Sequence, residues 1–125
     1  KDVIIVDDMI SSGETMVNVA AELKRMKANR VYGCATFGLF TGGLGVFDKA
    51  YEQGLIEKIF TTNLIYQNPE LINKEWYENV DMAKYLALII DSLNHDYSIS
   101  SLLNPVTRIN RRLKAYKERR EALKQ

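Results

Sequence analysis

The sequence VIIVDDMISSGET, residues 3–15, contains the strongest indication of the fold class. It opens with Val3–Val6, an unbroken β-branched run that is typical of a strand buried on both faces of a parallel sheet. After the loop Asp8–Gly13, apolar residues recur at i, i+3, i+4 and i+7, which predicts a helix ending near Asn29. A second strand over Val31–Phe37 completes a strand–loop–helix–strand unit of roughly 35 residues, the length of a βαβ crossover.

The next part of the chain repeats this alternation less regularly. The pattern predicts a short helix at Val46–Gln53, a third strand at Lys58–Thr62, a loop at Asn63–Glu75 and a short strand at Trp76–Val80. The helix predicted at Met82–Asn94 is apolar around much of its circumference, so we expect it to be well buried. The expected fold is therefore α/β, with a mainly parallel sheet and helices on both faces.

Composition places the chain among globular domains. It has 125 residues, 46% hydrophobic and 26% charged, enough for one core. The single cysteine, Cys34, excludes an intrachain disulfide and fits a reducing, cytoplasmic location. The sequence contains no run of 18 apolar residues, so it predicts no membrane span. Because the strand pattern begins at once and without an initiator Met, we expect a fragment of a longer protein; the alternative is a complete small domain with a trimmed leader.

Charge is distributed unevenly and suggests two domains, 1–104 and 105–125. Residues 106–125 hold eight basic and two acidic side chains, a balance of +6, whereas residues 1–105 hold nine and fourteen, a balance of −5. In the second domain apolar residues follow heptad spacing, with Arg120 in the one seam position that is not apolar. The apolar residues of this heptad series are Val106, Ile109, Leu113, Tyr116 and Leu123.

Such a basic amphipathic helix cannot bury itself and needs a neighbour, which could be the body of the chain, a second copy or another part of the parent chain. Its basic side chains could neutralise nucleic-acid phosphates. An apolar seam with charged flanks is more typical of an oligomer contact, and we favour that interpretation over nucleic-acid binding.

Two adjacent carboxylates, Asp7 and Asp8, follow the first strand, where open α/β sheets place their ligands. Burying unpaired charge is expensive, so two aspartates in sequence are a poor choice for a core. A diol, a divalent cation such as Mg²⁺, or both would account for them, because carboxylates accept hydrogen bonds from hydroxyls and ligate hard metal ions.

The loop after the acidic pair is suited to a phosphate. Ser11, Ser12 and Thr15 offer hydroxyls, Gly13 allows close backbone approach, and a helix N-terminus supplies N–H groups. Two plainer interpretations remain open. Either serine could cap the helix, with Glu14 favoured in its first turn by the macrodipole, and the acidic pair could be a solvated strand end.

The stretch Val3–Thr15 resembles the thirteen-residue phosphoribosyl-pyrophosphate signature of the type I phosphoribosyltransferase fold. Four later blocks narrow the resemblance to ribose-phosphate pyrophosphokinases; they are Ala35–Gly42, Lys58–Asn63, Val80–Lys84 and Ser98–Leu103. The likeness corresponds to the C-terminal half of that enzyme.

The resemblance implies a site and a reaction. Asp7 and Asp8 would bind the ribose 2- and 3-hydroxyls, directly or through Mg²⁺. The residues that would wrap the 5-phosphate of ribose 5-phosphate are Ser11, Ser12, Gly13 and Thr15. Glu14 falls at the family's variable position and should point away. The family transfers the diphosphoryl group of ATP to the ribose 1-hydroxyl, giving phosphoribosyl pyrophosphate and AMP, and tends to form homo-oligomers.

The resemblance also limits what to expect of this chain. Phe37 stands where the family usually has His. The family's catalytic Lys and Arg and most of its ATP site belong to the N-terminal half, so no catalytic residue is assigned here. We expect weak ribose-phosphate binding at best and no synthetase activity. The alternatives are a base-exchanging phosphoribosyltransferase and a non-catalytic regulatory homologue.

Overall fold

A computed structural model describes residues 1–122, apart from the side chains of Ser101 and Leu103. Leu123 and Lys124, which belong to the predicted C-terminal helix, lie outside the described residues. The contacts divide the chain into two units, Lys1–Met82 and Ala83–Gln125. The elements in chain order are β1 (Val3–Ile10), α1 (Glu14–Arg25), β2 (Val31–Gly38), α2 (Gly45–Glu52), β3 (Lys58–Thr62), α3 (Pro69–Ile72), β4 (Tyr77–Val80), α4 (Ala83–Asn94), α5 (Ser100–Leu103) and α6 (Val106–Ala122).

The first unit is built on a parallel sheet. In the described part of the chain four strands pair in the order β1-β2-β3-β4, all parallel. The register of the first pair runs from Val3 opposite Val31 to Ile10 opposite Gly38. The predicted α/β class with a parallel sheet is confirmed.

The core of this unit lies between one face of the sheet and the helices α1 and α2. Met16 and Ala20 of α1 and Phe47 of α2 are buried. The Phe47 ring stacks on that of Trp76 with centroids 5.2 Å apart, an arrangement that adds to the stabilisation from apolar burial. Gly33 lets α1 approach β2, since a Cβ there would lie 2.6 Å from Met16 Sδ.

The prediction that β1 is buried on both faces is wrong. Ile5 packs against the core, but Ile4 is 62% and Val6 is 79% exposed. β1 is an edge strand, and α1 and α2 pack on the face that carries Ile5. An apolar run shows that a strand is hydrophobic, but it does not show whether other elements pack on both of its faces.

Two boundaries differ from the prediction for identifiable reasons. β1 continues through the acidic pair to Ile10, because β2 pairs with it along its whole length. α1 ends at Arg25, before the predicted Asn29. There Lys27 adopts a left-handed φ of 65°, and the Lys27 and Ala28 N–H groups donate to Lys24 O and Leu23 O. This is a Schellman cap without its usual glycine.

The predicted loop 63–75 contains the short helix α3. The Asn68 side chain accepts a hydrogen bond from the Glu70 N–H, and Pro69 occupies the first turn. Both are standard helix-start features. β3 has the predicted bounds, and β4 begins one residue later than predicted.

The second unit consists of helices, and α4 is not buried as predicted. None of its described side chains is buried, and Ile90 is 66% exposed. A segment of about 40 residues rarely builds its own core. The apolar circumference of α4 therefore indicates a helix that needs packing partners, and it does not show that the chain provides them. The Tyr85 hydroxyl donates to Leu102 O at 3.1 Å, and the Arg108 guanidinium lies 5.9 Å from the Tyr85 ring centroid.

Asp48 of α2 holds the loop before β4 against the helix. Its Oδ1 accepts a hydrogen bond from the indole N–H of Trp76 at 2.8 Å, and its Oδ2 lies 2.9 Å from Lys74 Nζ. The hydrogen bond from Trp76, followed by that from Lys74, lowers the pKa of Asp48 below its ordinary value of 3.8. This carboxylate therefore stabilises the folded state in its ionised form.

We predict that Asp48→Ala lowers the free energy of unfolding by about 1–3 kcal/mol at pH 7, because the buried Trp76 N–H loses its acceptor. Since the folded pKa is depressed, the contribution of Asp48 is present above pH 3.8 and is lost as pH falls below that value. The difference between variant and wild type should therefore shrink at pH 3. Urea unfolding followed by the fluorescence of Trp76, the single tryptophan, measures it.

Glu52→Ala, an exposed change on the same helix, is the control and should alter stability by less than about 0.5 kcal/mol. Equal stability of Asp48→Ala and wild type at pH 7 would contradict the assignment.

Candidate functional site

The end of β1 and the start of α1 enclose a small cavity of about 140 Å³. Its lining residues are Asp7, Met9, Ile10, Ser11, Ser12, Gly13, Thr15 and Met16. The structure thus brings together all of the predicted site residues except Asp8, and it adds three apolar residues that the sequence did not single out. The three are Met9, Ile10 and Met16, which are neighbours of the predicted residues in the chain. Only the tertiary structure shows that their side chains line the same cavity.

Asp7 and Asp8 are separated by the geometry of the strand. Because β1 runs through both residues, their side chains point to opposite faces of the sheet. Asp7 lies on the face that carries α1 and borders the cavity, whereas Asp8 is absent from its lining. The Asp8 N–H donates to Asp7 Oδ1 at 2.8 Å, so the two residues are linked through the backbone.

The size of the cavity limits what it can hold. A water molecule occupies about 30 Å³ of liquid, and pockets for whole drug-sized ligands exceed about 300 Å³. A volume of about 140 Å³ suits a group the size of a phosphate. The remainder of a larger ligand would lie outside the cavity, along the end of the sheet where both aspartates are found.

Gly13 starts α1 in a left-handed conformation with φ of 88°. A Cβ at this position would lie 2.1 Å from Cε2 of Phe47, so only glycine fits beneath that ring. Within the described chain no side chain caps α1, and neither Ser11 nor Ser12 therefore has the capping role that the sequence left open. The first helical bond runs from the Val17 N–H to Gly13 O, which leaves the N–H groups of the first turn available to an anion.

The glycine-rich turn after β2 braces the loop from the side. The Thr41 N–H donates to Ser11 O at 3.0 Å, and the Thr41 and Ser11 hydroxyl oxygens lie 3.2 Å apart. A Cβ at Gly42 would meet Ser12 Cβ at 3.3 Å, so the turn packs closely. This neighbour lies 30 residues away in the chain, so the contact between the two loops depends on the tertiary structure.

The electrostatics of the cavity do not favour an anion alone. Among the described residues its lining includes the carboxylate of Asp7 and no basic side chain. Glu14 is exposed and is not part of the lining. Hydrogen-bond donors are therefore the cavity's own means of holding a phosphate, and the adjacent carboxylates oppose it unless a cation is present.

No group of three or more His, Cys, Asp or Glu side chains that could hold a metal ion is found over residues 1–122. Mg²⁺, however, is commonly held by one or two carboxylates together with substrate oxygens and water. Asp7 and Asp8 fit that donor chemistry, since both are exposed carboxylates at the end of the sheet. They suit an ion that arrives with its ligand.

A second opening of about 410 Å³ lies on the sheet and is mostly apolar; it includes Val6, Cys34, Phe60 and Val80. Burial raises the pKa of the Cys34 thiol, which opposes formation of the nucleophilic thiolate and agrees with a packing role. Phe37 is partly exposed and lies opposite Met9 in the strand register. The edge of the phosphate-sized cavity is thus apolar on that side.

The parallel sheet, with a phosphate-sized cavity between a strand end and the next helix, defines an α/β domain. Residues 1–104 match the family described as phosphoribosyl synthetase-associated domain, and the chain belongs to this family.

Similar proteins include ribose-phosphate pyrophosphokinases from two bacteria. The protein of Shewanella oneidensis is 33% identical over 107 residues, which cover 83% of this chain and 32% of that protein. The protein of Mycoplasmopsis pulmonis is 33% identical over 103 residues, covering 82% and 31%. The chain therefore spans about a third of the length of the curated relatives that it matches.

The fold is shared with the crystal structure of phosphoribosylpyrophosphate synthetase from Mycobacterium smegmatis, with a TM-score of 0.65 and 20% sequence identity. The match covers 77% of this chain and 31% of that one. Separately, no described helix is long and apolar enough to cross a membrane.

We predict that Gly13→Ala destabilises the chain by about 2 kcal/mol or more, because the new methyl group meets Phe47 and the positive φ is strained. Gly43→Ala is a matched control: its φ of 78° is also positive, but nothing lies within 4 Å of the added Cβ. It should lose about 1 kcal/mol.

Gly45→Ala, with open space and no positive φ, should be neutral or slightly stabilising at the start of α2. Urea unfolding of the three variants gives the order, and a Gly13→Ala variant no less stable than Gly43→Ala would contradict the packing of Phe47 on Gly13.

Proposed function

We propose that this chain is the C-terminal part of a ribose-phosphate pyrophosphokinase and provides its ribose 5-phosphate site. The observation that carries the proposal is the single cavity that unites Asp7 with the loop Ser11–Thr15. The two curated relatives described above support it, because both are ribose-phosphate pyrophosphokinases.

In this proposal the 5-phosphate occupies the cavity. It accepts hydrogen bonds from the first-turn N–H groups of α1 and from the hydroxyls of Ser11, Ser12 and Thr15. Asp7 borders the cavity and is placed to accept hydrogen bonds from the ribose 2- and 3-hydroxyls. Because β1 is an edge strand, Asp8 on the other face would reach the Mg²⁺ held by Asp7 around the free edge of the strand, and Mg²⁺ when bound would neutralise charge on the phosphate oxygens.

The parent enzyme would transfer the diphosphoryl group of ATP to the ribose 1-hydroxyl and release AMP. The part of that reaction assigned to this chain is to position the acceptor, which contributes through orientation. The groups that bind ATP and act on the transferred phosphorus belong to the remainder of the parent chain in this proposal. We further propose that the parent is cytoplasmic and self-associates.

The charge of the site makes the cation dependence of binding a sharp test. We predict that ribose 5-phosphate binds weakly and that Mg²⁺ tightens the binding. Asp7→Asn should reduce or abolish this tightening by Mg²⁺, and without Mg²⁺ it should bind the ligand at least as well as wild type, since a repulsive charge is gone. Titration calorimetry with and without Mg²⁺ measures both effects.

Thr15→Val removes a lining hydroxyl at nearly constant volume and should weaken binding about 5–10-fold in either condition. Asn18→Ala, an exposed change on the same helix outside the lining, is the control. Binding that neither Asp7→Asn nor Thr15→Val affects would place the ligand elsewhere.

We also predict that the purified 125-residue chain forms no phosphoribosyl pyrophosphate from ATP and ribose 5-phosphate. Production of AMP in a coupled assay, above that of the Asp7→Asn variant, would show that catalytic groups are present in this stretch and would contradict the proposed division of labour.

A further inference from the structure

Helix α6 lies beyond residues 1–104, the part of the chain that matches the family. Every described side chain of Val106–Ala122 is exposed. Four large apolar side chains form a row along it, here called the apolar seam: Val106, Ile109, Leu113 and Tyr116, each 51–62% exposed. In proteins most of the stability of a helix comes from packing of its apolar face, so the stability of α6 depends on covering that row.

The shape of the seam points to another helix as its cover. The spacing of three, four and three residues corresponds to heptad positions a and d, which form the narrow contact stripe of a coiled coil. Helices that lie on membranes instead have a broad apolar face opposite a polar one. In α6 basic side chains surround the seam on all sides, and Arg120 lies within the seam itself.

The residues that flank the seam are basic or neutral. With Val106 at position a, the flanking e and g positions within the described helix are Asn110, Arg112, Lys117 and Arg119. The two acidic residues of the helix, Glu118 and Glu121, fall at the outer f and b positions. Flanking charges set partner choice in coiled coils, and like charges across the contact are destabilising.

Two copies of α6 would therefore face basic flanks with basic flanks. We propose that the apolar seam of α6 docks an amphipathic partner helix whose flanking positions are Glu or Asp. Arg120 in the seam favours the same choice, because a carboxylate of the partner at that layer would pair with it, whereas a second Arg120 would repel it. Any self-association of the chain then proceeds through a different surface.

The test uses the full 125-residue chain and a fluorescent helical peptide of about three heptads, with Ile and Leu in its seam and Glu at its flanks. A matched peptide has Lys at the same flanks. Fluorescence anisotropy should show the Glu peptide binding at least about tenfold more tightly, with the preference narrowing as salt is raised.

Variants of the chain distinguish the contribution of the apolar seam from that of the flanking charges and from that of the overall charge of the helix. Leu113→Asp should abolish binding of the Glu peptide. The triple variant Arg112→Glu, Lys117→Glu and Arg119→Glu should reverse the preference, so that the Lys peptide binds more tightly. Arg111→Glu makes a matched charge change at the outer f position and should leave the preference as in wild type. Circular dichroism checks that each variant keeps its helix content.

Each competing occupant has its own outcome, and each would overturn the proposal. A second copy would appear as a dimer in sedimentation equilibrium that Leu113→Asp dissociates. A lipid surface would appear as binding to phosphatidylserine-containing vesicles that is tighter than binding to the Glu peptide. A nucleic acid would appear as a random DNA duplex that outcompetes the Glu peptide in moderate salt. Equal binding of the Glu and Lys peptides would overturn it as well.

Discussion

The contact between the Phe47 ring and the backbone of Gly13 is the constraint on which the site depends. Because Gly13 has no Cβ and adopts a positive φ, the ring of α2 can pack directly against the turn that joins β1 to α1. Phe47 in turn stacks on Trp76, whose N–H is held by Asp48 of the same helix. The loop that borders the cavity is therefore supported by the core of the first unit, and its first-turn N–H groups are kept in place without a capping side chain.

The chemistry of the cavity follows from what this arrangement puts in it and what it leaves out. Backbone N–H groups and hydroxyls can hold a phosphate, but the carboxylate at the cavity edge opposes the same charge. In the proposed function, a phosphorylated diol would bind best when a cation accompanies it. In that proposal the acidic pair takes part in ligand recognition, which would account for the carboxylate of Asp7 in a lining that includes no basic side chain among the described residues.

Two surfaces of the chain expose large apolar side chains. One face of the first unit's sheet exposes Ile4 and Val6, and α6 exposes a row of four apolar side chains. The first has no charge pattern that identifies its cover. The second has basic flanks, and it is this pattern that allows the chemistry of a partner to be inferred.

Local patterns were sufficient for the four strands, the longer helices α1, α2, α4 and α6 and the parallel α/β class, because periodicity and turn residues are properties of neighbouring residues. They were insufficient wherever distant segments meet. The bracing of Ser11 by Thr41, the divergence of Asp7 and Asp8 on a strand that continues to Ile10, and the exposure of Val6 and α4 all depend on which elements pack together. The hydrophobic pattern of the sequence indicates which surfaces need packing partners. Only the packed structure shows whether another part of the chain packs against them.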